Sequence, residues 1–169
     1  LYRPDEGQIE LAGRPCQFTS PREALNAGVG LVHQELSYCP NLTVAENLCL
    51  ASLPHRGPWL DRERMLARTG AHLQMVGATC DPEDELGRLP NGQIQLVQIA
   101  GVLASGARVL ILDEPTSSLS LTETRKLEEL VKQLRRKGTT ILYVSHRMDE
   151  IFRLCDTASV LRDGQHVAT

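Results

Sequence analysis

Residues 108–120 read RVLILDEPTSSLS, and this stretch decides the fold. Its apolar run, residues 109–112, predicts a short buried strand that ends in two adjacent acids, Asp113 and Glu114, before Pro115 stops it. Such strands are typical of parallel sheets, in which ligands bind at the carboxyl ends of the strands. The two acids are therefore candidate functional residues. The alternative interpretation is an ordinary pair of turn acids, solvated or capping the next helix.

The composition indicates an ordinary globular domain. The chain has 169 residues, of which 41% are hydrophobic and 23% are charged. Its formal net charge is -3, so it lacks the excess of basic residues that is typical of nucleic-acid-binding proteins. No apolar run approaches the length that spans a bilayer, so any contact with a membrane is predicted to be peripheral. The five cysteines are widely spaced and lack a C-x-x-C pair, which predicts reduced thiols in a cytosolic protein rather than disulfides or a zinc site.

The amino-terminal part predicts a hairpin, a short helix and a strand. Residues 7–18 alternate between apolar and polar types around Gly13, as a hairpin with one exposed face does. Ser20 and Glu23 form a capping-box pattern that opens a short helix, which Gly28 ends. Residues 30–33 are a second apolar run, and it ends at Gln34.

Helical patterns dominate residues 43–105. Thr43 and Glu46 form a second capping box, and Asp61 is placed to cap a longer helix. A third helix is predicted to follow Gly92, with Gly101 inside it marking a close approach to a neighbouring element.

Strand and helix patterns alternate again after residue 106. Ser120 opens a helix by a third capping box, and Glu128 is placed to pair with Lys132 one turn later. Residues 139–144 predict a third buried strand, which ends at Ser145 and His146, and a hairpin turns at residues 163–164. The order predicts an α/β fold: a core of residues 1–42 and 106–169 and an inserted helical subdomain of residues 43–105.

Three predicted strands therefore end in polar residues of different kinds, namely Gln34, the pair Asp113 and Glu114, and His146. At one edge of a sheet, an amide, two carboxylates and an imidazole could hold a metal, orient a water and contact a phosphate. Taken singly, a loop glutamine is usually a hydrogen-bonding residue, and a histidine before a helix is usually a cap or a partly buried polar group. Their joint placement favours a site.

Four motifs, in order, resemble those of the ATP-binding cassette (ABC) ATPase domain. Residues 32–37, VHQELS, resemble its Q-loop, and residues 89–93, LPNGQ, its signature loop, usually LSGGQ. Residues 109–120 resemble its Walker B strand and D-loop, and residues 143–152, YVSHRMDEIF, its switch-histidine segment. The residue sequences of these motifs are most similar to those of bacterial importers of ribose, galactose, xylose and related monosaccharides. The resemblance implies a P-loop NTPase fold with a mainly parallel sheet and flanking helices.

The resemblance also implies roles for the candidate residues, with ATP as the nucleotide and Mg²⁺ as the cofactor. Asp113 is expected to hold Mg²⁺, largely through water, and Glu114 to orient and polarise the attacking water. His146 is expected to contact the γ-phosphate, and Gln34 to sense Mg²⁺ and water and to relay the nucleotide state to the membrane subunit.

Partners follow from the same resemblance. A second ABC domain is expected to complete the site, with signature and D-loop residues acting in trans: Asn91, Gly92, Gln93, Ser118 and Ser120. A membrane permease and, indirectly, a periplasmic or extracellular sugar-binding protein are the other expected partners. The chain is then expected on the cytoplasmic side of the cell membrane, peripherally bound, with no nucleic-acid partner.

The sequence departs from the family pattern at two places. The phosphate-binding loop G-x-x-x-x-G-K-[S/T] is absent, since the first lysine is Lys126. We expect the first strand and the P-loop helix to precede residue 1 in a longer protein, so that these residues alone do not hydrolyse ATP. The signature loop has Pro90 in place of the usual Ser and Asn91 in place of the first Gly, with Asn91 expected to cap the helix.

Two further hypotheses remain at this point. The substituted signature loop fits a catalytically degenerate regulatory cassette. A soluble ABC ATPase without a membrane partner is the other, although the resemblance to sugar importers favours transport.

Overall fold

A computed structural model describes residues 7–33, 38–50 and 52–169 of the chain. Its helices are α1 (Pro21–Asn26), α2 (Val44–Cys49), α3 (Arg62–Val76), α4 (Asn91–Ala104), α5 (Leu121–Arg136) and α6 (Met148–Leu154). Its strands are β1 (Ile9–Leu11), β2 (Arg14–Cys16), β3 (Val29–Val32), β4 (His55–Arg56), β5 (Trp59–Leu60), β6 (Val109–Asp113), β7 (Thr140–Val144), β8 (Val160–Arg162) and β9 (Gln165–Ala168). The alternation of strands and helices confirms the predicted α/β class.

The central sheet has three parallel strands in the order β3-β6-β7. These are the three strands predicted from the apolar runs, and β6 lies in the middle because it is paired on both edges. Leu110 and Leu112 of β6 are fully buried, as expected of a central parallel strand.

Three antiparallel hairpins lie outside this sheet among the described residues. The predicted hairpin β1-β2 and the predicted hairpin β8-β9 are both present. Asp163 and Gly164 connect β8 to β9 with positive φ angles of 51° and 76°, the conformation that a tight two-residue hairpin turn requires. The short hairpin β4-β5 was not predicted, because strands of two residues are too short to give an alternating pattern.

Capping boxes begin α2 and α5, two of the three helices for which they were predicted. At the third, α1, the Ser20 hydroxyl accepts from the Glu23 amide, while the Glu23 carboxylate accepts from the Thr19 amide. The Thr43 hydroxyl accepts from the Glu46 amide at 3.2 Å, while the Glu46 carboxylate accepts from the Thr43 amide at 2.8 Å. Ser120 and Glu123 make the same reciprocal pair at the start of α5. Each cap satisfies amides that have no partner within the helix, a contribution of about 1 kcal/mol.

One face of the central sheet packs against helices to form the main core. Side chains from β3, β6, α3, α4, α5 and α6 contribute: Val32, Val76, Leu96, Ile99, Ala100, Leu110, Leu112, Leu127, Leu130, Val131, Leu134 and Leu154. A second cluster joins α2, α3 and α4 through Val44, Leu73, Leu86, Ile94 and Val97. Helix α4 contributes to both clusters and therefore connects the sheet to the helical segment.

The opposite face of the sheet is partly open. Leu31 is 42% exposed and Leu142 is 55% exposed, and both share a row of this face with Ile111. The prediction that residues 139–144 form a buried strand is therefore wrong: Thr140, Leu142 and Val144 of β7 are exposed, and its other two residues are only partly buried. The reason is that the main core lies on the other face, which carries Leu110 and Leu112.

Helix α5 differs from the prediction in one ion pair. Its core side chains are Leu127, Leu130, Val131 and Leu134. Lys132 pairs with Glu129 at 3.0 Å instead of with Glu128. Glu128 is buried and binds Arg153 of α6 at 2.7 Å. Spacing along one helix could not reveal a partner on another helix.

The close approach expected at Gly101 lies at Gly30 instead. A Cβ atom added to Gly30 would lie 2.1 Å from Cγ1 of Val102, whereas one added to Gly101 would meet no atom within 4 Å. Strand β3 therefore passes directly against α4 at Gly30.

We expect the two glycines to respond oppositely to alanine. Gly30→Ala forces a steric overlap with α4 and should lower the free energy of unfolding by about 1–3 kcal/mol. Gly101→Ala lies in open space within a helix and should raise it by about 0.5–1 kcal/mol, because alanine is the better helix former. Urea denaturation of both variants checks this, and a shift of the same sign in both would contradict the packing described here.

Candidate active site

The carboxyl ends of the three parallel strands bring polar side chains to one edge of the sheet. Strand β6 ends at Asp113 and is followed by Glu114, and strand β7 ends at Val144 and is followed by Ser145 and His146. The Glu114 amide donates to the Val144 carbonyl at 2.9 Å, which extends the ladder by one residue beyond β6. The two loops therefore leave the sheet side by side.

A hydrogen bond joins Glu114 and His146. His146 Nδ1 lies 3.0 Å from Glu114 Oε1, so that an ionised carboxylate accepts from Nδ1–H. The opposite ring nitrogen, Nε2, then points away from Glu114, and the His146 side chain is 71% exposed. The arrangement offers an acid next to an accessible imidazole, a pair that can hold a water and contact an anion.

Glu114 has an uncommon backbone conformation. Its φ angle is 44°, in the left-handed region that residues other than glycine seldom adopt. Conformations of this kind cost of order 1–3 kcal/mol and cluster at functional sites, where the surrounding structure holds them. Here the backbone bond to Val144 and the side-chain bond to His146 both hold the residue.

The remaining predicted residues of this edge are distributed as follows. Asp113 pairs with Val144 in the ladder and is partly buried. Gln34 follows β3 in sequence but lies outside the described residues. In the described part of the chain, no group of three or more His, Cys, Asp or Glu side chains is arranged to hold a metal ion.

The signature segment forms the start of α4, although not as predicted. The helix begins at Asn91, with Pro90 at the N-cap and no side-chain cap, so Asn91 is the first helical residue rather than the cap. Proline has the φ angle that an extended N-cap needs but carries no hydroxyl to cap with. The prediction that the helix starts after Gly92 with Asn91 as its cap is therefore wrong.

A carboxylate from α5 supplies the missing cap. Glu123 Oε1 accepts from the Gly92 amide at 3.2 Å, while Glu123 Oε2 accepts from the Ser120 amide and hydroxyl at 2.9 and 2.7 Å. These hydrogen bonds, from the Ser120 side chain first, lower the pKa of the Glu123 carboxyl below its ordinary value of 4.5. One carboxylate thus serves the amino-terminal ends of both α4 and α5.

The structure divides the predicted residues into two groups. Glu114 and His146 form one, joined by their hydrogen bond. Gly92 and Ser120 belong to the other, joined through Glu123, while Gln93 is held by a 2.8 Å bond from the Thr79 amide to its Oε1. Asn91 and Ser118 are exposed.

No sequence pattern indicates the carboxylate of Glu150, which bonds to residues close in sequence to Glu114 and His146. Glu150 is 0% exposed, and its oxygens accept from the Thr116 hydroxyl at 2.8 Å and from the Tyr143 hydroxyl at 2.8 Å. Arg147 Nε lies 3.1 Å from Glu150 Oε1. Burial, and then the bond to Glu150, raise the pKa of Tyr143 above its ordinary value, so it remains a neutral donor. A single glutamate in a helix gives no sequence signal for such a network.

The comparisons with known proteins agree on one family. The family model described as "ABC transporter" matches residues 1–117. The chain is 48% identical over 167 residues to the arabinose import ATP-binding protein AraG of Ralstonia nicotianae, covering 99% of this chain and 33% of that protein. It is 46% identical over 168 residues to a putative ribose/galactose/methyl galactoside import ATP-binding protein of Burkholderia cenocepacia, with the same coverage. The chain thus spans about a third of the length of these relatives.

Solved structures have the same fold. A nucleotide-free ATP-binding cassette from an ABC transporter matches with a TM-score of 0.84 at 24% identity, over 99% of this chain and 70% of that one. A dimeric ATP-binding cassette in a post-hydrolysis state, bound to ADP and Pi, matches with a TM-score of 0.67 at 25% identity, over 88% and 66%. The likeness confirms the predicted cassette fold.

We expect Glu123 to make folding stability depend on pH. Its folded-state pKa is lowered, so its contribution is complete above the ordinary carboxyl pKa and is lost as the pH falls through the folded value. As the pH falls from about 6 to about 3.5, the free energy of unfolding should therefore decrease less in Glu123→Gln than in the parent protein. Urea denaturation across this range measures the slope. Glu129→Gln, on the same helix, controls for net charge, and an unchanged slope in Glu123→Gln would contradict the assignment.

Proposed function

Because the chain belongs to the ABC transporter family, we propose that it forms part of the ATP-hydrolysing subunit of an importer that couples hydrolysis to uptake of a monosaccharide. The observation that carries the proposal is the 3.0 Å hydrogen bond between Glu114 and His146 at the carboxyl edge of the parallel sheet. The relatives named as arabinose or ribose and galactose import proteins support the substrate class.

In the proposed reaction, the chain positions the reactants. Glu114 orients and polarises the attacking water, and His146 contacts the γ-phosphate through Nε2, because Nδ1 faces Glu114. Phosphoryl transfer depends mainly on alignment and on neutralising the phosphate oxygens, so a fixed pair of this kind supplies what the reaction needs. Gln34 is proposed to sense the water and to relay the nucleotide state to the membrane subunit.

The residues fit a magnesium ion. Mg²⁺ in phosphate-binding sites is commonly held by one or two carboxylates, several waters and the substrate phosphates, and Asp113 supplies such a carboxylate at the strand end. We propose Asp113 and Gln34 as its ligands, with Asp113 acting largely through water. When bound, the ion neutralises charge on the phosphate oxygens. Asp113 is the last residue of β6 and the adjacent Glu114 bonds to His146, so the two acids can divide the two roles.

The open face of the sheet supports the proposal of an upstream P-loop segment. Parallel sheets are normally covered on both faces, yet Leu31 and Leu142 are largely exposed in the part of the chain that the structure describes. A strand, P-loop and helix preceding residue 1 would cover apolar area of this kind and supply the backbone amides and lysine that bind phosphates. The segment of residues 43–105 is proposed as a helical subdomain beside the core of residues 1–42 and 106–169.

A second cassette is proposed to complete the site. Asn91, Gly92, Gln93, Ser118 and Ser120 would then contact nucleotide bound to the partner cassette. The exposure of Asn91 and Ser118, and the dimeric solved cassette, support this arrangement.

A membrane permease and, through it, a sugar-binding protein are the other proposed partners, with the chain bound peripherally on the cytoplasmic side of the membrane. The import function in the names of the relatives supports a permease. Within the described residues, no helix has the length and apolar character needed to cross a bilayer.

One observation favours a second candidate function, a degenerate regulatory cassette. Pro90 supplies no hydroxyl for phosphate, and the Gly92 amide is already bonded to Glu123. Both features would weaken what this signature loop offers to a partner site.

We expect Glu114→Gln to abolish ATP hydrolysis while ATP binding persists. The test protein is the chain joined to an upstream strand, P-loop and helix, which we call the extended cassette. Loss of the carboxylate that polarises water should lower turnover by about 100-fold or more. Phosphate release and the binding of a fluorescent ATP analogue measure the two properties, with Glu129→Gln as the control. Unchanged hydrolysis in Glu114→Gln would reject the role of this residue.

Reverting the signature loop separates the two candidate functions. In the extended cassette, Pro90→Ser combined with Asn91→Gly should raise ATP turnover severalfold if the loop is degenerate. The introduced serine supplies a hydroxyl and a backbone N–H for phosphate, both of which proline lacks. An unchanged rate would favour the catalytic assignment with the loop as it stands.

A further inference from the structure

Glu150 is a fully buried carboxylate to which the proposed reaction gives no role. It lies in α6 and collects hydrogen bonds from three segments of the chain. Thr116 donates from the turn after β6, and Tyr143 donates from β7. Arg147, in the loop before α6, contributes an ion pair at 3.1 Å.

The partners of Glu150 surround the Glu114 and His146 pair in sequence. Thr116 is two residues beyond Glu114, and its hydroxyl lies 2.8 Å from Glu150 Oε1. Ser145 and Arg147 stand on either side of His146, and the Ser145 hydroxyl lies 3.4 Å from Glu150 Oε2. The Ser145 hydroxyl also accepts from the Arg147 amide at 3.0 Å, which closes the loop around His146. One carboxylate therefore connects the two loops that carry the pair.

The hydrogen bond between Glu114 and His146 has one largely exposed partner, because Glu114 is partly buried but His146 is not. His146 is mostly in solvent, and hydrogen-bonded or ionic pairs at such positions contribute roughly 0–1 kcal/mol, too little to fix two loops. The anchored residues are different: Thr116 and Glu150 are both buried, so their bond does not compete with water. The buried bonds of Glu150 can therefore hold the two loops that carry the pair more firmly than the bond between Glu114 and His146 does.

Stability alone is a weak explanation for Glu150. Burying a carboxylate costs several kcal/mol of desolvation, and apolar side chains of similar size often stabilise a protein as well or better. A carboxylate at position 150 offsets this desolvation cost by fixing one arrangement of the two loops, which an apolar side chain could not do.

We propose that Glu150 is a positioning residue for the hydrolytic site: by tying Thr116 to the loop of residues 145–147, it keeps His146 Nδ1 directed at Glu114 and Nε2 directed outward. This inference rests on the proposed function for its effect on turnover. Its effect on the geometry of His146 stands independently of ATP hydrolysis.

A matched control exists in α5, where Glu128 pairs with α6. Glu128 is also a buried carboxylate, and it pairs with Arg153 of α6 at 2.7 Å. Glu128 and Arg153 are on α5 and α6, and neither is adjacent in sequence to Glu114 or His146. Glu128→Gln removes a buried charge as Glu150→Gln does, but it leaves the loop of residues 145–147 attached.

The first measurement is kinetic and uses the extended cassette. Glu150→Gln should lower kcat for ATP about 10- to 100-fold, because a displacement of about 1 Å at reacting groups costs that much, while KM changes less than about twofold. Glu128→Gln should keep both constants within about twofold of the parent. Equal kcat values in the two variants would overturn the proposal.

The second measurement reads the imidazole directly in the chain without any nucleotide. ¹⁵N NMR of His146 in its neutral form should report a proton on Nδ1 in the parent and in Glu128→Gln, and a shift toward the Nε2–H tautomer in Glu150→Gln. Retention of the Nδ1–H tautomer in Glu150→Gln would overturn the positioning role. If the extended cassette has no ATPase activity, the proposed function fails, yet this measurement still decides the inference.

Conservative variants cover the case in which Glu150→Gln does not fold. Tyr143→Phe and Thr116→Val each remove one hydroxyl donor to Glu150 and keep the size of the side chain. Each should move His146 in the same direction by a smaller amount. If both leave the tautomer as in the parent, the buried bonds do not set the geometry and the proposal is rejected.

Discussion

The pairing of β6 with β3 on one side and with β7 on the other is the constraint on which the other features depend. Because all three strands are parallel, their carboxyl ends meet at one edge, and Glu114 after β6 lies beside His146 after β7. The alternation of side chains along β6 sends Leu110 and Leu112 into the core and leaves Asp113 on the other face. A shift of one residue in this register would turn Leu110 and Leu112 away from the core and turn Asp113 into it. The burial of the two leucines therefore also fixes where the acids lie.

Local patterns in the sequence were sufficient for much of the fold. Capping boxes at Thr43 and Ser120 involve residues three apart, and the hairpin turn at residues 163–164 involves neighbours, so each leaves a legible pattern. The three apolar runs predicted the central strands for the same reason. The acids and the histidine were recognisable because they follow those strands directly, and the structure joins Glu114 to His146 as their positions suggested.

Contacts between distant residues were not predictable in this way. Gly92 and Glu123 are 31 residues apart, and Thr116 and Glu150 are 34 apart, so no spacing rule relates them. The same limit explains the Glu128 ion pair, which involves a second helix. In each of these three cases a glutamate of ordinary appearance makes a long-range bond that depends on how helices pack.

The left-handed backbone of Glu114 places local stability in opposition to the role proposed for this residue. At a φ angle of 44°, glycine or asparagine would have less backbone strain than glutamate. The site therefore retains a residue that the local backbone conformation disfavours. A laboratory selection for thermal stability alone would then tend to replace this residue, and with it the carboxylate proposed to polarise water. Engineering of more stable cassettes from this chain should hold position 114 fixed and look for gains elsewhere in the chain.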